Sequence, residues 1–297
     1  MSLIDIGKPR ITPVSSLYKI HTTVDVLRLD EIHPVISGNK WFKLKEYLDE
    51  ARSQQKKIIL TFGGAWSNHI VATAAATSLA GFKSIGVIRG EEAENLSITL
   101  KNAVELGMEL VFVSREEYRK KIIPQSVLNI FSPSQIFVIP EGGYGLPGAN
   151  GAAHILDSVD VQRYDYILAA AGTGTMLAGL IMSGGSIRIV GIPVLKHKGL
   201  RADIIQLIKE NKNNEFSLIE GYEFGGYAKK DNRLISFMNS WYEQTGIPSD
   251  FVYTGKLFYA YDDLVRQGYF PASSKILLIH SGGLQGNSSL PKGTLIF

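Results

Sequence analysis

KKIILTF (56–62), SNHIVATAAATSLAG (67–81) and KSIGVIRG (83–90) follow one another almost without a gap, and their reading decides the fold class. The first and third are short apolar runs rich in Ile and Val, the composition of strands. The middle segment is longer, rich in alanine, and opens on Ser67 and Asn68, residues that favour a helix start. Strand, helix, strand in close succession marks a parallel sheet covered by helices.

The same alternation continues outward from this stretch. NLSITLKNAVELG (95–107) reads as a helix, ELVFV (109–113) as a strand, and QIFVIP (135–140) closes the set. A glycine-dense stretch, EGGYGLPGANGAA (141–153), reads as a link to a new series. In that series YDYILAAAG (164–172) is a strand, TMLAGLIM (175–182) a helix and IRIVGIPV (187–194) a strand. Helices are expected at 200–210, 230–245 and 255–268, and a last strand at SKILLIHSG (274–282). No internal repeat or low-complexity tract interrupts the pattern.

The division that follows is an α/β, two-lobed, parallel-sheet fold. Residues 44–145 form a smaller lobe, inserted into a larger one made of 1–43 and 146–297. Ligands in such sheets bind beyond the carboxyl ends of strands. The three richest loops, after residues 62, 171 and 280, lie at such ends, so a cleft between the lobes is the expected place for chemistry.

Composition narrows the function classes. A chain of 297 residues with 45% apolar and 20% charged residues has the make-up of an ordinary globular protein. Without cysteine, disulfide and thiolate chemistry are excluded. The net charge of +3 is scattered, and the densest cluster, Lys40, Lys43 and Lys45, is too short for a nucleic-acid stripe. The start, MSLIDIGKPR, lacks the apolar run of a secretory signal, and no segment approaches the roughly 20 apolar residues of a membrane span. A cytoplasmic protein without nucleic-acid or membrane partners is therefore expected. The six histidines never fall at i, i+4 spacing, so no metal centre is expected.

Three segments carry chemistry. In SGNKWFKLKEYLDEA (37–51), Lys40 and Lys43 are three apart and share a helix face. One reading is a solvated amphipathic helix with Lys–Glu pairs. The other is a desolvated amine beside a second cation, which lowers its pKa and frees it for imine formation. TFGGAWSNH (61–69) is a strand end, a glycine pair and a Ser67–Asn68 helix start, which serves either as a plain cap or as an anion site. In AAAGTGTMLAG (169–179), the amides of Gly172, Thr173, Gly174 and Thr175 can form a phosphate nest, or simply a tight turn. A dinucleotide fingerprint is ruled out because Leu177 occupies the place of the third glycine. An amine, an Asn/Ser loop and a phosphate cup are the parts needed to hold an aldehyde cofactor carrying a phenolic oxygen and a phosphate.

GNKWFKLKEYL, FGGAWSNH, the GTGT cup, VYTGK (252–256) and HSGGLQG (280–286) together resemble the D-cysteine desulfhydrase and 1-aminocyclopropane-1-carboxylate (ACC) deaminase group. That group comprises pyridoxal 5′-phosphate (PLP) enzymes of the tryptophan-synthase-β fold type, fold type II. The resemblance runs in order from about residue 13 to about 290. It implies that Lys40 is the Schiff-base lysine and that Lys43 contacts the phosphate together with Gly172, Thr173, Gly174 and Thr175. It further implies that Asn68 bonds the phenolic oxygen, that Ser67 stands by the substrate, and that Tyr227 and Tyr253 are substrate-side tyrosines. A homodimer is also implied.

The departures from the group bear on the reaction. Where ACC deaminases typically carry a glutamate against the pyridine nitrogen, this chain has Thr254. A neutral hydroxyl leaves the ring a weaker electron sink, which suits expulsion of a β-substituent better than opening of a cyclopropane. Trp66 and His69 also differ from the group's residues near the substrate. The expected reaction is β-elimination on D-cysteine or a related small D-amino acid, giving pyruvate, ammonia and the leaving group. The alternative is ACC deamination to 2-oxobutyrate and ammonia.

Overall fold

Strand–helix alternation organises the chain into two sheets. The computed structural model describes residues 4, 6–14, 22–208 and 216–297. In chain order, β1 (Arg10–Val14) and β2 (Thr23–Arg28) precede α1 (Asn39–Ser53). There follow β3 (Ile58–Gly63), α2 (Asn68–Ala80), β4 (Lys83–Arg89), α3 (Ile98–Glu105) and β5 (Met108–Val113). The short α4 (Arg115–Lys120) and α5 (Gln125–Leu128) lead to β6 (Ile136–Ile139) and α6 (Leu146–Ala153). The remainder is β7 (Tyr166–Ala171), α7 (Thr175–Ser183), β8 (Arg188–Pro193), α8 (Leu200–Ile208), β9 (Phe216–Leu218), α9 (Asn232–Thr245), α10 (Thr254–Arg266) and β10 (Lys275–His280).

The smaller sheet has the order β5-β4-β3-β6 and is parallel throughout. The larger has the order β1-β2-β10-β7-β8-β9, with only the β1–β2 pair antiparallel. Every residue of β3 and β7 is buried, which is why both read as unbroken apolar runs. The fold is α/β with parallel sheets, as the sequence pattern requires. The strands of the smaller sheet fall between residues 58 and 139, and those of the larger lie on either side in sequence. The division drawn at 43/44 falls inside α1.

Local chemistry sets the element ends. Ser67 caps α2 by accepting from the Ile70 amide, and Gly81 closes it in the left-handed region (φ 76°). Ser114 and Glu117 form a capping box on α4. Pro13 sits in β1 at the sheet edge, where its missing N–H costs no ladder bond.

The stretch 141–153 corrects the sequence reading. Instead of a link, residues 146–153 form helix α6, packed against α1 and α7. Its glycines are there for contact: a Cβ on Gly151 would run into the Phe42 carbonyl of α1, and one on Gly179 of α7 would meet the Ala152 Cβ at 2.6 Å. One apolar cluster then joins both sheets, with Leu44, Ala72, Ala149 and Leu177 from the helices between Ile59 and Ile139 on one side and Ile167 and Ile279 on the other. The residues 209–210 of the helix expected at 200–210 lie outside the described residues.

Candidate active site

The amine at position 40 is placed by a close approach of two turns. Gly38 (φ 70°) lies against the turn after β10, so that a Cβ on it would reach the Gly282 Cα at 2.8 Å. The Asn39 amide donates to the Ser281 carbonyl at 3.2 Å. The start of α1 is thereby fixed at the carboxyl end of β10, whose neighbour β7 ends in the Gly172–Thr175 turn.

A cavity of about 400 Å³ opens there, lined by Lys40, Lys43, Ser67, Asn68, Gly172, Thr173, Gly174, Tyr227 and Tyr253, with Arg89 and Glu141 at its wall. These residues, from seven separate places in the sequence, therefore meet in one space. Lys40 Nζ donates to Asn39 Oδ1 at 2.7 Å and lies 5.9 Å from the centre of the Tyr253 ring. Burial pulls its pKa from 10.5 down to about 8, against the opposing pull of Asp250. Lys43 is buried on the same helix face, and its pKa falls well below the ordinary value, through burial first and then the Lys40 charge. Its Nζ reaches the Gly142 carbonyl at 3.3 Å. The Gly142 backbone in turn lies near Thr173, a Cβ there coming 3.6 Å from Thr173 Cγ2, so Lys43 and the glycine turn share one corner. The solvated-helix reading of Lys40 and Lys43 does not describe this geometry.

The turn at 172–175 has Gly174 at φ 79°, and the Thr173 and Thr175 hydroxyls pair at 3.0 Å. Thr175 itself is fully buried behind the wall. Across the cavity, Asn68 Nδ2 donates weakly to the Gly283 carbonyl at 3.4 Å, while Asn68 Oδ1 is buried without a partner among the described residues. A carboxamide oxygen without a partner, two amines with one hydrogen bond each and a bare glycine turn in one cavity suit a polar ligand, because such groups are costly to bury unpaired.

Tyr227 is half exposed, and burial of its phenol raises its pKa. The Tyr253 phenol is raised further by the same cause. Thr254 is set apart from this group. It is fully buried, does not line the cavity, and donates its hydroxyl proton to Asp250 Oδ1 at 2.8 Å.

Three participants escaped the sequence reading. Asp250 is fully buried and accepts from the amides of Val252, Tyr253 and Thr254 at 2.9 Å, which fixes the turn carrying Tyr253. A pattern of Asp four residues before a helix start was its only available signal. Arg89 ends β4 as the exposed last residue of a strand whose middle five residues are buried. Glu141 enters through the turn after β6.

The state of His69, which departs from the group's pattern, follows from its partners. The Thr61 hydroxyl donates to the Ile139 carbonyl at 2.8 Å, so at 2.8 Å from His69 Nε2 it must accept. The proton therefore sits on Nε2, and the buried Nδ1 keeps a free lone pair. Burial, then Lys40 and Lys43, lower its pKa to about 3.

Comparison with known proteins gives consistent matches. Residues 6–282 match the family model described as pyridoxal-phosphate dependent enzyme. A Pyrococcus horikoshii protein, provisionally named 1-aminocyclopropane-1-carboxylate deaminase, is 30% identical over 94% of this chain and 91% of its own length. The Arabidopsis thaliana mitochondrial bifunctional D-cysteine desulfhydrase/1-aminocyclopropane-1-carboxylate deaminase is 26% identical over 84% of this chain and 70% of its own. A solved structure of an ACC deaminase homologue superposes with a TM-score of 0.83 at 29% identity, covering 95% of this chain and 91% of that one.

Proposed function

The chain belongs to the pyridoxal-phosphate-dependent enzyme family, and from that membership we propose that it is a lyase performing β-elimination on D-cysteine or a related small D-amino acid. With D-cysteine the balance is one water consumed and pyruvate, ammonia and hydrogen sulfide released. The observation that carries this reading is the meeting of the Lys40 amine, the Asn68 carboxamide with its unpartnered oxygen and the Gly172–Gly174 turn in one cavity.

Bound there, PLP supplies an electrophilic carbonyl for an amine and an electron sink for negative charge at the substrate Cα. The chain's own residues divide the remaining work. Gly172, Thr173, Gly174 and Thr175, with Lys43, offer amides, hydroxyls and a cation to a phosphate. Asn68 offers its carboxamide to the phenolic oxygen. Ser67 and the start of α2 receive the substrate carboxylate. Lys40, with a pKa of about 8, holds and returns the Cα proton at neutral pH, a value suited to general base work. Tyr227 and Tyr253, both kept protonated by burial, position the substrate or hand a proton to the departing sulfur.

A second reading, ACC deamination to 2-oxobutyrate and ammonia, is favoured by the names of the relatives and opposed by the lack of a glutamate at position 254, where Thr254 lies off the cavity and is spent on Asp250. Location in the cytoplasm and assembly as a homodimer belong to the proposal. Among the described residues, no helix is long and apolar enough to cross a membrane. The test is to incubate PLP-loaded protein with D-cysteine, L-cysteine and ACC and to quantify pyruvate, sulfide and 2-oxobutyrate. Pyruvate and sulfide from D-cysteine are expected. 2-Oxobutyrate from ACC alone would overturn the elimination reading. Visible absorbance of the cofactor that responds to amines in wild type but not in Lys40→Ala tests the role of Lys40 independently of turnover.

A further inference from the structure

Arg89 occupies the cavity wall for a reason built into the sheet. In the β3–β4 register Gly63 stands opposite Ile88, so Arg89 falls beside Gly64, at the start of the loop that leads to Ser67 and Asn68. Its guanidinium reaches that loop: a Cβ on Gly64 would be 3.4 Å from Arg89 Nη2. The other side packs over the Tyr118 ring, 5.7 Å from its centre, which restrains the side chain without neutralising it. The Arg89 guanidinium makes no hydrogen bond or ion pair among the described residues.

The charges around it leave this cation unmatched. Glu141 is the one carboxylate among the cavity-lining residues, and it is held by Lys121 at 2.6 Å, outside the cavity wall. Lys40 and Lys43 face the cofactor end, where the Gly172–Gly174 turn lies. An α-carboxylate already has Ser67 and the start of α2. Arg89 is exposed to solvent at the wall of a polar cavity, and its planar fork of donors, with no protein acceptor, is open there to an additional anion.

We infer that Arg89 reads a second anionic group on the substrate, so that the site takes a small α-amino acid whose side chain ends in a carboxylate, phosphate, sulfate or sulfonate. This rests on the amino-acid lyase reading above and narrows it: the preferred β-substituent is itself charged. Arg89 would hold the terminal oxygens of that substituent, and Tyr227, whose hydroxyl feels the Arg89 charge, would border the same end.

The experiment titrates PLP-loaded wild type, Arg89→Gln and Arg89→Lys with both enantiomers of cysteine, O-phosphoserine and S-sulfocysteine. The shift in cofactor absorbance gives a Kd for each, alongside kcat/KM, and cofactor absorbance with a thermal melt monitors folding. Wild type is expected to bind at least one anionic compound about tenfold or more tightly than the matching cysteine, the scale of one charge-assisted bidentate contact. Arg89→Gln should lose the anionic ligands by about tenfold more than it loses cysteine, and Arg89→Lys should keep part of the difference. Equal affinities in wild type, or equal losses for neutral and anionic ligands in Arg89→Gln, would overturn the inference while leaving the lyase reading standing. No spectral response of wild type to any amino acid would sink the amino-acid reading itself, and this inference with it.

Discussion

Lys256 Nζ donates to the Gly226 carbonyl at 2.8 Å, one residue before Tyr227. Its two other bonds go to the carbonyls of Glu223 at 2.8 Å and Val194 at 3.1 Å. Lys256 is fully buried, and all three of its protons go to backbone oxygens. The ammonium ties α10, the end of β8 and the Tyr227 turn into one unit.

Replacing it by methionine keeps the stem and removes the head. The three carbonyls then lose a charge-assisted donor, and a net loss of roughly 1–3 kcal/mol is expected after the relief of a buried charge. A urea titration measures this. Because the Tyr227 turn is freed, Lys256→Met should also raise KM more than it alters cofactor absorbance. An unchanged KM would mean that the tie does not position Tyr227.

The pKa of about 8 for Lys40 predicts how the apo-protein captures its cofactor. Only the neutral amine attacks an aldehyde, so the rate of PLP uptake should climb as pH rises through about 8 and level off above it. Stopped-flow absorbance between pH 6.5 and 9.5 follows the rise. A midpoint near 10.5, the ordinary lysine value, would show that the amine is solvated.

The lysines also fix the sign of a stability trend in the apo-protein. Lys40 and Lys256 both fall from 10.5 to about 8 on folding. Between those values the unfolded chain holds protons that the native state does not, so stability should increase with pH from about 8 upward. The rise should end near pH 10, where buried tyrosines such as Tyr47 and Tyr253, with raised pKa values, begin to favour the ionised unfolded chain. Urea unfolding at several pH values gives the slope, and Lys256→Met should flatten it. A falling trend from pH 8 to 9.5 contradicts the burial argument.

His69 makes the complementary prediction in acid. Its folded pKa of about 3 lies below the ordinary 6.5, so the native state resists a proton that the unfolded chain accepts. Stability should therefore fall as pH drops below about 6.5, and His69→Gln should lessen that fall. Nitrogen-15 shifts of the imidazole should report a neutral ring protonated on Nε2 at pH 5. A cationic ring at pH 5 would refute the burial argument, and a neutral ring protonated on Nδ1 would refute the Thr61 bonding assignment.

At Gly151, helix propensity and packing oppose each other. Alanine is favoured over glycine in a helix interior by about 1 kcal/mol, yet its methyl would strike the Phe42 carbonyl. Packing should win, with Gly151→Ala destabilised by roughly 1–3 kcal/mol, as overpacked contacts are. Thermal melting decides the sign, and a rise in Tm would mean that α1 and α6 can part.

The α/β class, the alternation of β3 to β8 with their helices, and the candidate amine, carboxamide and glycine turn were all legible in the residues alone. These are local facts: buried parallel strands read as apolar runs, and a glycine-rich turn before a helix has the same form in any context. Local pattern misjudged residues 146–153, because glycine weakens helix propensity and only the nearness of α1 and α7 shows why it is there. Tertiary structure alone decided that Arg89 stands beside Gly64, that Asp250 holds the Thr254 hydroxyl, that Lys256 clamps the Tyr227 turn, and that the His69 proton sits on Nε2. Each depends on a strand register or on a hydrogen bond between distant segments. Residue identity sets what a group can donate, accept or bury, but its partner is chosen by chain packing, which no local pattern records.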